Sequence, residues 1–171
     1  MSTVRDAIPA DALAVAGVHV RSWQVAYRGL IADEFLDRLR PEERAATYRL
    51  GAEGPGAPQT VVAAGDDGEI WGFATIGPCR DEDAAGAGEL MALYVDPPRW
   101  RTGTGRLLLD HATDRLRDRG FGQAVLWVLR GNEGAERFYA AAGWRRDGAE
   151  REEQPYGVVS NVVRMRRSLS D

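Results

Sequence analysis

The segment between residues 96 and 106 carries groups that could bind a phosphate. It reads DPPRWRTGTGR and places Gly103 and Gly105 between Arg101 and Arg106. Glycine lets a backbone turn tightly and come close to a ligand. The first N–H groups of a helix have no partner inside it, and with the helix dipole they favour an anion, to which the arginines could add charge pairing. The segment therefore predicts a phosphate-binding turn that ends a strand and opens a helix.

Two better-known phosphate motifs do not fit this turn. A dinucleotide-binding fingerprint needs a third small residue at the position of Leu108. A P-loop needs Lys followed by Ser or Thr, and the chain has Arg106 and Leu107 there. By themselves the two glycines are as compatible with an ordinary tight turn as with a phosphate site. The interpretation depends on the residues that follow them.

The elements around this turn form a strand–helix–strand unit. Residues 90–95 and 124–129 are nearly continuous apolar runs, which are typical of strands covered on both faces. Residues 104–119 between them have apolar side chains four apart on one face, and Gly120 stands where a helix cap belongs. We expect two parallel strands joined by a right-handed crossover.

The sequence before this unit predicts one strand and three helical stretches. The strand covers residues 3–6. The first helix runs from residue 9 to about 28, the second covers 33–39, and Pro41 restarts a helix that continues to about residue 50.

A hairpin and a polar loop should follow these helices. Residues 61–64 and 70–76 read as paired strands, with a tight turn at 66–68. Residues 77–88 read as a mobile polar loop with three consecutive acids at 81–83.

The C-terminal part predicts a helix and two final strands. Asn132 is a good N-cap for a helix that ends at Gly143. The strands should cover residues 144–152 and 158–166, and the arginines at 164, 166 and 167 should form a solvated strand end.

Composition limits the possible classes of protein. The chain has 171 residues, 44% of them apolar, so we expect a single domain over 1–171 that folds without a metal or disulfides. The only cysteine is Cys79, and no His, Cys and Asp spacing suggests a metal site. A net charge of −4 argues against nucleic-acid binding. No secretory signal and no apolar run of about 18 residues is evident, which favours a cytoplasmic protein without membrane contact.

The residues after the glycine turn resemble the GNAT superfamily of N-acetyltransferases. That family carries a Q/R-x-x-G-x-G/A turn after its fourth strand, followed by L-x-V-x-x-x-N-x-x-A-x-x-F-Y-x-x-x-G-[FW]. The matching residues are Gly103, Gly105, Leu126, Val128, Asn132, Ala135, Phe138, Tyr139, Gly143 and Trp144. Trp100 stands where the family most often has Gln or Arg, and Arg101 where Gly is frequent. Because main-chain N–H groups hold the pyrophosphate in this family, neither departure changes the expected cofactor.

The resemblance implies an α/β fold. A central twisted mixed sheet of about six or seven strands should be flanked by helices. The order should be one strand, two helices, three strands, a helix, a strand, a helix and two strands. The sheet should splay between its fourth and fifth strands, and acetyl-CoA should lie in that splay. The stretch W-x-x-A-Y-R-G-L near residue 23 also looks like a subset of bacterial members.

The implied reaction moves an acetyl group directly from acetyl-CoA to a primary amine of a small molecule or peptide. An alkylamine with a pKa near 10 is only about 0.1% neutral at pH 7, so the amine must lose a proton. Tyr139 matches the family's acid for the departing thiolate; its alternative role is to pack its ring between helix and sheet. Glu89 matches the general base of the histone-modifying branch; an equally weighted alternative is a solvated strand-end carboxylate.

The resemblance also implies the residues that bind the cofactor. Asn132 should cap its helix and contact the pantetheine arm or an ordered water, and the main chain at residues 93–95 should meet the acetyl group and pantetheine. The full expected set is Leu93, Tyr94, Val95, Arg101, Thr102, Gly103, Thr104, Gly105, Arg106, Asn132 and Tyr139.

The acceptor is expected on the opposite side, beside the first two helices and the 77–88 loop. His19, Trp23 and Tyr27 share one helix face and could hold an amine by cation–π contact, although packing against the sheet is favoured. Glu89 and Tyr156 could border the same pocket.

Two further questions stay open from the sequence. The acids at 81–83 should form an acidic mouth that attracts a cationic amine. The alternative function is a non-catalytic acyl-CoA sensor or interaction module of the same fold. Homodimerisation is common among such relatives, and nothing in the sequence demonstrates it.

Overall fold

The computed structural model describes residues 1–154 and 158–170, and these residues form a seven-stranded mixed sheet flanked by helices. The strands are β1 (Thr3–Asp6), β2 (Gln59–Ala64), β3 (Ile70–Pro78), β4 (Gly88–Val95), β5 (Gln123–Leu129), β6 (Arg145–Glu153) and β7 (Ser160–Ser168). The helices are α1 (Ala12–Ala26), α2 (Asp33–Arg38), α3 (Pro41–Ala45), α4 (Thr104–Asp118) and α5 (Glu133–Ala141). Single 3-10 turns lie at Pro9–Asp11, Glu82–Ala84 and Pro97–Arg99.

Each predicted strand and helix is present within three residues of its expected ends, apart from the third helical stretch. This helix, α3, ends at Ala45 instead of continuing to about residue 50, and none of its residues is buried. Beyond it, the Tyr48 hydroxyl lies 2.6 Å from Nδ1 of His19. After Ala45 the backbone continues in turns, and the Tyr48 side chain contacts α1. The region holds three helices, where the resemblance implied two.

The order of strands across the sheet is β1-β2-β3-β4-β5-β7-β6. Among the seven strands of the described residues, only β4 and β5 are paired in parallel, and α4 connects them, as the strand–helix–strand pattern predicted. Alternate residues of β2 face opposite sides of the sheet. Val61 shares a buried cluster with Leu108 of α4, whereas Val62 shares one with Val15 of α1. The two helices therefore cover opposite faces.

The pairing between β4 and β5 is confined to their first residues. Gly88 pairs with Ala124 and Glu89 with Val125, and the described ladder ends there. Beyond this point β4 stays hydrogen-bonded to β3 and β5 to β7, so the sheet opens between them. β4 is covered on both faces, as predicted, because Leu93 packs in the cluster with α4 and Tyr94 in the cluster with α1. Its residues from 91 onward are nevertheless only half-buried, since they lie along this opening.

The connection that was predicted to be a mobile polar loop is anchored. Its residues Ala84 and Ala87 are buried against Val125 of β5. Arg164, which was expected at a solvated strand end, has a side chain only 4% exposed. Its guanidinium pairs with carboxylates of this loop, so one buried cation ties the loop to β7. Among the described residues, no helix has both the length and the hydropathy to cross a membrane.

Candidate active site

A cleft of about 560 Å³ lies where β4 and β5 part. Its walls come from both strands, the turn before α4, and α5. All the residues expected to bind the cofactor line it, except Thr102 and Thr104. The structure therefore brings together side chains that lie as far apart in sequence as Leu93 and Tyr139.

The turn at the end of the cleft has an unusual backbone. Arg101 has φ 62° and Gly103 has φ 87°, so both adopt the left-handed region that favours glycine. The hydroxyl of Thr102 donates to the carbonyl of Arg99 at 2.6 Å and lies 2.9 Å from that of Thr104. The two threonines thus stabilise the turn itself. The turn sets the N-terminus of α4 at the edge of the cleft, where an anion is favoured.

Tyr139 has both of the environments considered for it. Its ring packs edge-on against Trp144, with centroids 6.2 Å apart, and the residue is 9% exposed. It also lines the cleft. Burial raises the pKa of Tyr139 above its usual value, and nearby Tyr94 raises it further. The phenol therefore keeps its proton at neutral pH and can donate it.

Asn132 acts as the N-cap of α5. Its side-chain oxygen accepts a hydrogen bond from the backbone N–H of Ala135 at 3.3 Å, as the sequence predicted. The residue also lines the cleft, beside Ala135 and Phe138. Capping and contact with a ligand are thus compatible at this position.

A second cavity of about 320 Å³ adjoins the cleft. The two spaces share lining residues from β4, from β5 and from the C-cap of α1, among them Tyr27, Tyr94 and Trp127. Trp23 and Glu89, predicted to contact an acceptor, line this second cavity. Tyr156, predicted with them, lies outside the described residues. The two spaces therefore meet along β4.

The aromatic face of α1 forms one wall of the second cavity. His19 stacks on Tyr94 with centroids 4.9 Å apart and an angle of 15°, and Trp23 lies 4.9 Å from Tyr27. Burial lowers the pKa of His19 to about 3, and the charge of Arg44 contributes. The imidazole is therefore neutral at physiological pH. The face both packs against the sheet and lines the cavity.

Glu89 lies buried at the start of β4, so its interpretation as a solvated strand-end carboxylate is wrong. Both of its oxygens are engaged by Arg80. The guanidinium donates to Oε2 at 2.7 Å and to Oε1 at 3.3 Å, and the backbone N–H of Arg80 donates to Oε1 at 3.3 Å. No local pattern in the sequence indicated this pairing.

The expected acidic mouth is largely neutralised. Asp81 accepts hydrogen bonds from Trp127, Arg151 and Arg164, and Arg164 also binds Asp83 at 2.7 Å. Burial alone would raise the pKa of Asp81, but these hydrogen bonds hold it below its usual value. These two acids therefore anchor the loop instead of standing unpaired before a substrate.

Several lining residues were not predicted from the sequence. Arg80, Arg151, Glu153 and Ser160 border the second cavity because distant strands meet there, and local pattern carries no sign of that. Trp127 had a signal in the alternation of strand side chains. Leu126 and Val128 pack in the cluster with α4, so Trp127 between them faces the other side of the sheet.

The chain resembles known proteins over most of its length. The model of the acetyltransferase (GNAT) family matches residues 21–144. An uncharacterized N-acetyltransferase YuaI of Bacillus subtilis is 34% identical over 77% of this chain and 74% of its own. The streptothricin acetyltransferase of Streptomyces lavendulae is 31% identical over 82% and 79% of the two chains.

A solved structure has the same fold. It is the PaiA N-acetyltransferase of Thermoplasma acidophilum in complex with coenzyme A. It superimposes with a TM-score of 0.70 at 20% identity, covering 98% of this chain and 99% of that one.

Proposed function

The chain belongs to the GNAT family and is an N-acetyltransferase, and we propose that it transfers the acetyl group of acetyl-CoA directly to a primary amine of a small molecule or peptide. The observation that carries this proposal is the opening between β4 and β5, which ends on the glycine turn and adjoins a second cavity. A donor and an acceptor could reach each other there from opposite sides of β4. The coenzyme A in the Thermoplasma structure supports the choice of donor.

In this proposal the cofactor occupies the cleft. Its pyrophosphate lies at residues 101–106, where the left-handed backbone of Arg101 and Gly103 brings the helix N-terminus to the edge of the cleft. Its pantetheine arm follows β4, whose main chain is released from β5 after Glu89. Asn132 borders the same space. The described residues contain no group of His, Cys, Asp and Glu side chains that could hold a metal.

The chemical step needs two proton transfers. The amine nitrogen bonds to the acetyl carbon, and the carbon–sulfur bond breaks. A protonated amine loses two protons overall. Glu89 accepts one of them, and the other restores to Tyr139 the proton that it has given to the departing sulfur. The position of Tyr139 in the wall of the cleft supports this role, and its phenol, whose pKa is raised by burial, carries a proton at neutral pH.

An amine panel assayed by release of free CoA thiol tests the proposal. We expect thiol release that depends on both acetyl-CoA and an amine, with the acetylated amine identified by mass spectrometry. Binding of acetyl-CoA without turnover on any amine would instead favour the alternative of a non-catalytic acyl-CoA sensor.

A further inference from the structure

The ion pair in the second cavity joins two side chains with very different exposure. The Glu89 side chain is 3% exposed, whereas that of Arg80 is 66% exposed. A buried carboxylate that loses its counter-ion is strongly destabilised, whereas an exposed guanidinium is readily rehydrated. Arg80 is therefore the partner that can leave, provided that another cation takes its place on Glu89.

The surroundings of Arg80 favour a cation at this position. Hydrogen bonding to Glu89 raises the pKa of the Arg80 guanidinium, burial opposes this effect, and the charges of Glu153 and Asp81 raise it further. Glu89 therefore binds this cation directly, and Glu153 and Asp81, although each is paired with another arginine, add to the negative potential at the site. The neighbouring guanidinium of Arg151 cannot replace Arg80 without leaving the acids it already binds, Asp81 and Glu153.

The aromatic walls of the cavity also suit a cation. Trp23, Tyr27 and Trp127 line the space that Arg80 and Glu89 border. Trp127 already holds one cation, since the guanidinium carbon of Arg151 lies 3.9 Å from its ring centroid. Such ring faces attract ammonium and guanidinium groups alike.

We propose that Arg80 occupies the subsite of the acceptor's ammonium group, and that acceptor binding exchanges one cation for the other on Glu89. The acceptor is accordingly an alkylamine that is protonated at neutral pH and small enough for its reactive end to enter a cavity of about 320 Å³. This inference rests on the proposed function, in which Glu89 receives the amine. Arg80 is then a specificity-determining residue that competes with the substrate.

The variant Arg80→Gln tests the exchange. Removing the competitor should lower KM for a protonated amine about tenfold, which corresponds to about 1.4 kcal/mol and is in the range of a charge-assisted hydrogen bond. The effect should fall on KM rather than on kcat, and acetyl-CoA affinity should not change. The matched control is Arg137→Gln, which also removes one positive charge, from an exposed side chain of α5 paired with Glu133 at 3.7 Å. It should leave KM unchanged.

Methylguanidinium tests the same subsite without turnover. Calorimetric titration should show it binding to Arg80→Gln about tenfold more tightly than to the wild-type protein, where Arg80 fills the subsite. In kinetics it should inhibit that variant competitively with the amine. In a Glu89→Gln background, Arg80→Gln should change neither the affinity for methylguanidinium nor the inhibition by it. The variant Arg80→Lys, which keeps the charge but loses the planar fork, provides a second measurement if Arg80→Gln does not fold.

Three results separate the possible failures. A higher KM or a lower kcat in Arg80→Gln would show that Arg80 only positions Glu89. Unchanged binding of both the amine and methylguanidinium would show that no exchange occurs. Either result overturns this inference while thiol release by the wild-type protein upholds the proposed function. If the wild-type protein transfers acetyl to no amine, the proposed function fails, and the titration still decides the exchange.

Discussion

The neutral, buried His19 makes the stability of the fold depend on pH. In the folded protein its pKa is lowered to about 3, compared with 6.5 for the unperturbed side chain. Between pH 6.5 and pH 3 the imidazole of His19 is therefore protonated in the unfolded chain and neutral in the folded one. The contribution of neutral His19 to the free energy of unfolding is therefore complete above pH 6.5, and it is lost as the pH falls towards 3.

The size of this effect follows from the two pKa values. A full shift corresponds to about 5 kcal/mol, because each pKa unit is worth about 1.4 kcal/mol. Between pH 7 and pH 5 the loss should be about 2 kcal/mol. In that window histidine is the side chain expected to titrate, since most carboxylates change charge at lower pH.

Urea unfolding at pH 7, 6 and 5 measures this loss as a change in the free energy of unfolding. In His19→Phe, which keeps a ring beside Tyr94, the dependence on pH in this window should largely disappear. The chain has only two histidines, and the other, His111, is exposed on α4, so His111→Gln is the matched control and should behave like the wild-type protein. Equal pH dependence in His19→Phe and wild type would refute the reasoning.

Three other predictions concern the cleft, the sheet and the second cavity. Tyr139→Phe should lower kcat by about 10²-fold or more, because it removes the proton donor, and calorimetry should show acetyl-CoA affinity nearly unchanged; an unaltered kcat would contradict the assignment. Gly72→Ala should lower the free energy of unfolding by about 1–3 kcal/mol, since a Cβ would lie 2.8 Å from the carbonyl oxygen of Tyr94 and 2.9 Å from Leu108. The matched control is Gly122→Ala, where a Cβ meets nothing within 4 Å; it should leave the free energy of unfolding nearly unchanged in the same urea titration. Arg80→Gln should lower KM for a protonated amine, as argued above.

The central part of the fold could be predicted because its signals are local. The spacing of apolar residues marked α4, and glycines and a cap residue marked its ends and the start of α5. The turn at residues 101–106 and Tyr139 could be assigned to one cleft because the resemblance supplied the relation between them. The cleft that the structure shows there agrees with that expectation.

The electrostatic partners could not be predicted, because they are set by tertiary contacts. Arg164 is separated from Asp81 by 83 residues, and the two meet because β7 pairs Arg164 with Trp127 of β5, whose indole also binds Asp81. Glu89 and Arg80 are nine residues apart, and their contact depends on how the loop between them folds. The early end of α3 was not predicted either, and the segment beyond it contacts α1 through the Tyr48 side chain, which is again a tertiary contact.

Calorimetric titration with acetyl-CoA tests the central claim most directly. We expect one saturable site in the wild-type protein. In Gly105→Leu binding should be strongly weakened, because Gly105 lines the cleft and its Cβ position is already 3.4 Å from the ring of Phe138. Absence of detectable binding to the wild-type protein at millimolar acetyl-CoA, or equal affinity in the two proteins, would contradict the assignment of the cofactor to this cleft.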